Sequence, residues 1–219
     1  RQMEDALLSM KYIGENEAFD IEAYRHTIEV MFTAQESLVG NADYPTQAIG
    51  DNSRKFRQLG LGYANLGALL MAQGLPYDSS AGRAWAAALT ALMTGHAYAT
   101  SARTAGRMGP FAGYAENADA MLHVLRMHRA EAAHIDEELV PTEILSAAQE
   151  AWDDAVRLGA AHGVRNTQAC VLAPPGTLGP LIDSAPTSIE PDPGLVSTQQ
   201  PLAGRPVGPR RGLRSRCGP

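Results

Sequence analysis

One β-capable run interrupts a chain that is otherwise patterned for helices. Thr167-Gln168-Ala169-Cys170-Val171-Leu172-Ala173 suits an extended strand, and it stops abruptly at Pro174-Pro175-Gly176. The rest of the first 193 residues is alanine-rich and repeats apolar residues at three- and four-residue steps. The pattern predicts a helix-rich α/β fold with one or two short strands.

The helical segments carry their own punctuation. Residues 21–39 place Ile21, Tyr24, Ile28, Met31, Phe32, and then Gln35 or Leu38, on one face. Asp20 stands at the N-cap position and Gly40-Asn41 supplies a stop. Tyr44-Pro45-Thr46 leads into a helix over 46–57, whose solvated basic end is Arg54, Lys55 and Arg57. Leu59–Tyr63 is a short apolar stretch broken by glycines, and Ala64–Gln73 reads as a buried helix ending at Gly74. Asp78-Ser79-Ser80 caps a long helix over 81–107, with Trp85, Leu89, Leu92, Met93 and Tyr98 available to a core. After the turn-rich Gly109–Tyr114 come helices over 117–132 and 142–161, the second introduced by Pro141-Thr142-Glu143. No internal repeat is present.

Charge and composition remove several classes of function. The net charge of −6 and pI near 5.5 argue against a dedicated nucleic-acid binder. No apolar run approaches the roughly 18–20 residues that span a bilayer. Arg1-Gln2-Met3-Glu4-Asp5 has no basic region feeding an apolar core, so no signal peptide is expected. The two cysteines, Cys170 and Cys217, form neither a disulfide scaffold nor a zinc ribbon and suit a reducing cytoplasm.

The strongest local chemistry is Ala173-Pro174-Pro175-Gly176-Thr177-Leu178-Gly179. A strand end feeding a glycine turn points backbone N–H groups outward, where they can hold an anion such as phosphate, and Thr177 adds a hydroxyl donor. An ordinary strand-terminating turn is the bland alternative. Gly60-x-Gly62-x-x-Asn65 resembles half a dinucleotide fingerprint, but it lacks the third glycine and a βαβ setting, so close packing explains the glycines better. Glu131-Ala132-Ala133-His134 has the spacing of a bundle di-iron site, yet no second Glu-x-x-His accompanies it. His26, His96, His123, His128 and His162 read as surface or structural histidines. Arg205, Arg210, Arg211, Arg214 and Arg216 lie in a segment without interleaved aromatics and read as a solvated end. No residue is assigned a catalytic or metal-ligating role.

Longer runs carry a family resemblance. Phe19-Asp20-Ile21-Glu22-Ala23-Tyr24-Arg25-His26, FTAQESLVGNADYPTQAI (32–49), SRKFRQLGLGYANLGALLMAQGLPYDS (53–79), GRAWAAALTALMTGHAYATSA (82–102), GPFAGYAEN (109–117), MLHVLRMHR (121–129) and HGVRNTQACVLAPPGTLG (162–179) are similar to adenosylcobalamin-dependent (class II) ribonucleotide reductases, large catalytic subunit. The resemblance implies the later part of a ten-stranded α/β barrel over 1–193, followed by a divergent, disordered Pro/Arg-rich tail over 194–219. It implies reduction of ribonucleotides, as di- or triphosphates, to 2'-deoxyribonucleotides for DNA synthesis. Adenosylcobalamin would generate a thiyl radical on a barrel-loop cysteine, and a cysteine pair would supply electrons. That cysteine belongs to an Asn-x-Cys-x-Glu motif that these residues do not contain, so this piece alone is expected to be inactive. A thioredoxin-type reductant and a homodimer of the full-length enzyme are also implied.

One functional element of that family maps here. Its Ala-Pro-Thr-Gly-Thr-Ile turn receives the substrate phosphate, which assigns that role to Pro174, Pro175, Gly176, Thr177 and Leu178. Pro175 replaces a threonine and removes a hydroxyl and a backbone N–H, so phosphate affinity is expected to fall. Asp183–Asp192, with Ile189-Glu190-Pro191 at its heart, resembles a further family run with several changes. The competing reading is a non-enzymatic helical interaction module.

Overall fold

The computed structural model describes residues 18–174 and 189–191. Six helices follow one another: α1 (Ile21–Asn41), α2 (Gln47–Phe56), α3 (Leu66–Ala72), α4 (Ser80–Met108), α5 (Tyr114–Ala132) and α6 (Thr142–His162). The caps fall where short polar side chains can take up free N–H groups. Asp20 accepts from the amide of Ala23, Thr46 from Ile49 and Ser79 from Gly82.

Helix α4 lies at the centre and packs most extensively against α6, with α1 and α5 alongside the pair. Gly95 permits that contact: a Cβ there would stand 3.0 Å from the Trp152 backbone nitrogen, so any larger residue would push the two helices apart. Leu89, Leu92, Met93, Ala148 and Trp152 fill the interface, each 2% exposed or less. Arg25 ties α1 to α6, donating to the Ala147 carbonyl and to Glu150, both at 3.1 Å. An ion pair between Arg129 and Asp153 ties α5 to α6.

The buried stripe of α1 steps by four, through Tyr24, Ile28 and Phe32 to Glu36. Burying each of the three apolar side chains contributes about 1.5–3 kcal/mol. This corrects the expectation of Gln35 or Leu38 at the stripe's end, since Leu38 is 62% exposed. Two arginines compensate the Glu36 carboxylate and allow it inside.

Other boundaries shift for local reasons. The third helix starts at Leu66 rather than Ala64, because Asn65 adopts the left-handed conformation at φ 72°. The fifth starts at Tyr114 rather than 117, its first turn prepared by the Tyr114 amide donating to the Phe111 carbonyl.

The 167–173 run is extended, but among the described residues it forms an isolated parallel bridge rather than a regular strand. Cys170 bridges Leu61. The amides of Leu59, Leu61 and Val171 donate to the carbonyls of Gln168, Ala169 and Leu61 at 2.9, 3.1 and 2.9 Å. The pair is short because its partner, 59–62, bends away at Tyr63–Asn65 into α3. Gly60 and Gly62 make the approach possible: a Cβ on Gly62 would lie 2.4 Å from the Val171 carbonyl oxygen, and one on Gly60 would lie 2.7 Å from a Val171 methyl. The glycines serve packing, as the sequence suggested. Among the described residues the fold is helix-rich with short extended pairing, and no described helix is long and apolar enough to cross a membrane.

Candidate functional site

The extended segment after α6 delivers the chain to Pro174, and it is held by a buried polar network. Gly163 ends α6 at φ 71°, and the next residues run under α4. Asn166 is wholly buried. Its side-chain amide donates to Glu36 Oε2 at 2.5 Å and to the Arg57 carbonyl at 2.9 Å. Its Oδ1 accepts from the Ser101 hydroxyl at 2.8 Å. The same hydroxyl oxygen accepts from the backbone N–H groups of Arg165 and Asn166, each at 3.0 Å.

Glu36 draws in two guanidinium groups. Arg57 donates through Nε to Glu36 Oε1 at 2.7 Å and through Nη2 to the Glu36 carbonyl at 2.9 Å. Arg165 Nε donates to the same Oε1 at 2.9 Å, and its Nη1 reaches the Gly109 carbonyl at 3.2 Å. Such charge-assisted bonds are the strong ones, and removing one partner leaves the others buried and uncompensated. Arg57 holds its place in the left-handed region, at φ 50°, as the C-cap of α2.

Further contacts continue toward the parallel pair. Thr167 donates to the Phe56 carbonyl through its amide at 3.1 Å and its hydroxyl at 3.0 Å. Tyr98 donates to the Thr167 carbonyl at 3.4 Å. Residues from α1, α2, α4 and the 109–111 loop therefore converge on 165–167, and the Leu61–Cys170 pairing continues the clamp up to Val171. The chain then emerges, with Val171 44% and Leu172 36% exposed.

Pro174 is exposed at the end of this segment, on the edge where both parallel segments run out. Pro175, Gly176, Thr177 and Leu178 lie outside the described residues, as do the 194–219 tail and its arginines. The structure thus shows how the segment leading to Pro174 is fixed. Sequence reasoning missed Glu36, Ser101, Arg165 and Asn166 altogether and read Arg57 as solvated. A signal was present: an acidic residue at the fourth step of an apolar i, i+4 stripe needs a buried cation.

The remaining candidates resolve plainly. His134 and Glu131 pair with each other at 3.3 Å on an exposed face. No group of three His, Cys, Asp or Glu residues that could hold a metal ion occurs among the described residues. His128 stacks on Trp152 with ring centroids 5.3 Å apart. Burial pushes the Cys170 thiol up to about 12, opposed by a hydrogen bond from Thr94, so it is not a nucleophile at neutral pH. Burial also holds His96 down, to about 4.

Comparison with known proteins agrees with the sequence resemblance. The family model described as ribonucleotide reductase, barrel domain, matches residues 6–213. A protein of Streptomyces coelicolor named vitamin B12-dependent ribonucleotide reductase is 48% identical over 202 residues, covering 89% of this chain and 21% of its own length. Proteins of the same name from Rhodopirellula baltica and Streptantibioticus cattleyicolor are 48% and 47% identical, over 89% and 87% of this chain. The chain spans about a fifth of the first two relatives, and 32% of the third.

Proposed function

The chain belongs to the ribonucleotide reductase barrel-domain family, and on that premise we propose that it is the segment of a vitamin B12-dependent reductase that receives the substrate phosphate. The parent reaction is the reduction of ribonucleotides to 2'-deoxyribonucleotides. The observation that carries this reading is the clamped segment ending at Pro174. A phosphate turn needs a fixed entry, because a loop that must order itself on binding loses affinity. Here Glu36, Asn166 and the Leu61–Cys170 pairing supply that fixed entry. Backbone N–H groups of Gly176, Thr177 and Leu178, with the Thr177 hydroxyl, would donate to the phosphate oxygens.

Two features agree with a place inside a larger barrel of ten strands. Val171 and Leu172 expose apolar side chains on a strand pair of two short segments. A buried parallel sheet is covered on both faces, so further strands and helices of the parent would cover them. The central helix α4 also turns small residues, Ala87 and Ala91 among them, toward a groove of about 410 Å³.

Adenosylcobalamin does not fit the described residues. The groove of about 410 Å³ suits a drug-sized ligand rather than a corrin with its adenosyl group. We assign the cofactor and the radical cysteine to other segments of the parent. The parent would work in the cytoplasm as a homodimer, recharged by a thioredoxin-type reductant.

Calorimetric titration of ribonucleoside di- and triphosphates, beside the unphosphorylated nucleoside, tests the reading. Binding should require the phosphate. Pro175→Thr should tighten it tenfold or more, since a charge-assisted hydrogen bond is worth about 1.5–3 kcal/mol. Equal affinity for nucleoside and nucleotide would contradict the phosphate turn.

A further inference from the structure

Charged residues make up 19% of the chain, yet on the outer face of α1 they stop halfway. The first half of the helix carries Glu22, Arg25, His26 and Glu29, the last facing Arg103 at 4.0 Å. From Val30 onward no exposed residue of the helix is charged, and Glu36 turns into the core. Val30, Ala34 and Leu38 stand four apart and form one ridge along this face, with Val30 50% and Leu38 62% exposed. Depletion of charge around apolar residues marks the centre of an interface rather than a solvated helix face.

The polar neighbours of the ridge have turned back onto their own helix. The Ser37 hydroxyl donates to the Thr33 carbonyl at 3.0 Å, and the Asn41 side-chain amide donates to the Ser37 carbonyl at 2.8 Å. Covering this face strands neither donor, which lowers the desolvation cost of burying it.

Val30 and Leu38 flank Ala34, one turn away on either side, and leave a notch over its methyl group. A ridge spaced by four residues receives the like-spaced ridge of a second helix, crossing at about −50° with the axes about 8–10 Å apart. The chain spans 21% of the Streptomyces coelicolor reductase that it matches, so most of such a parent is available to supply that helix. We propose that the Val30–Ala34–Leu38 ridge is the docking surface for a helix from the remainder of the parent reductase. That helix presents an uncharged apolar ridge and seats a large side chain over Ala34. The surface lies on α1 and does not depend on the phosphate turn.

The test co-expresses the 219-residue chain with the Streptomyces coelicolor reductase from which the matching 202 residues have been deleted. The dissociation constant of the purified complex is then measured by sedimentation. Val30→Glu and Leu38→Glu should each weaken the complex at least tenfold, because docking would bury an unpaired carboxylate. Both positions are half or more exposed, so the melting temperature of the chain alone should not change. Leu38→Gln, which adds no charge, should also weaken the complex and decides the matter if a glutamate upsets the helix. Met127→Glu on α5, at a position 47% exposed, is the control and should leave the complex unchanged. Ridge variants that bind as the wild type does overturn the docking surface, as does equal weakening by Met127→Glu. A wild-type chain that forms no complex overturns it too. A chain that self-associates through the ridge, and loses that association in Leu38→Glu, replaces the parent's helix with a second copy and overturns the proposal.

Discussion

Asn166 donates its side-chain amide to Glu36 Oε2 at 2.5 Å, across 130 positions of sequence, and neither residue reaches solvent appreciably. This bond joins the first helix to the segment that carries the candidate turn. Around it, two arginines and a serine complete the network.

Removing the carboxylate should therefore be costly. Glu36→Ala leaves Arg57 and Arg165 without their counter-charge, a loss of about 3–5 kcal/mol for a broken buried pair. Glu36→Gln keeps the shape but sets an NH₂ group against a donor, whichever way the amide turns. It should also destabilise, by about 1–3 kcal/mol. Urea unfolding midpoints at neutral pH measure both, and a Glu36→Gln protein as stable as wild type would contradict the network's role.

The parallel pair makes a second prediction. Gly62→Ala drives a Cβ to 2.4 Å from the Val171 carbonyl oxygen, so the two segments must separate. The cost should reach the upper end of overpacking, about 3 kcal/mol, with lost exchange protection at the Val171 amide. Gly74→Ala serves as control: its φ is +70° but nothing lies within 4 Å of its Cβ position. Its cost should stay within the roughly 1–2 kcal/mol of left-handed strain. Equal effects of the two variants would show that close approach is not what Gly62 provides.

His96 gives the chain a defined pH response. Burial, then Arg103 and Arg25, hold its folded pKa at about 4, against 6.5 in an unfolded chain, with Glu29 and Asp154 opposing. Between these values the unfolded state binds more protons, so stability is full above about pH 6.5 and is lost as pH falls toward 4. His96→Gln should flatten this part of the stability curve in chemical denaturation followed from pH 7 to 4. A variant that loses stability as steeply as wild type over that window would contradict it.

Cys170 should be inert in the folded state. Its thiol is pushed to about 12 by burial, so little thiolate exists at pH 8. Iodoacetamide should alkylate it far more slowly in the native protein than in urea. Comparable rates in both would mean that the parallel pair opens readily.

Much of the fold was legible because helix periodicity and caps are local. Asp20, Thr46 and Ser79 mark helix starts in the sequence, and the structure puts each at an N-cap. The packing role of Gly60 and Gly62 was legible too, because the alternative fingerprint lacked its βαβ surroundings. The site was legible only in part. The turn is read from Pro-Pro-Gly-Thr alone and lies outside the described residues, and the groups that hold the segment leading to it come from helices 65 to 130 positions away. Pairing of that kind leaves little periodic trace. A strand cannot be told from a single bridge by composition, because its length depends on neighbours that the run itself does not contain.

The measurement that tests the central claim most directly is complementation. The chain is co-expressed with the preceding segment of a vitamin B12-dependent ribonucleotide reductase similar to it, and the complex is assayed for adenosylcobalamin-dependent deoxyribonucleotide formation. The account predicts activity that Pro175→Thr raises and that Thr177→Ala lowers through KM for the nucleotide. A stable complex whose turnover and KM are indifferent to both substitutions would contradict the assignment of the substrate phosphate to this turn.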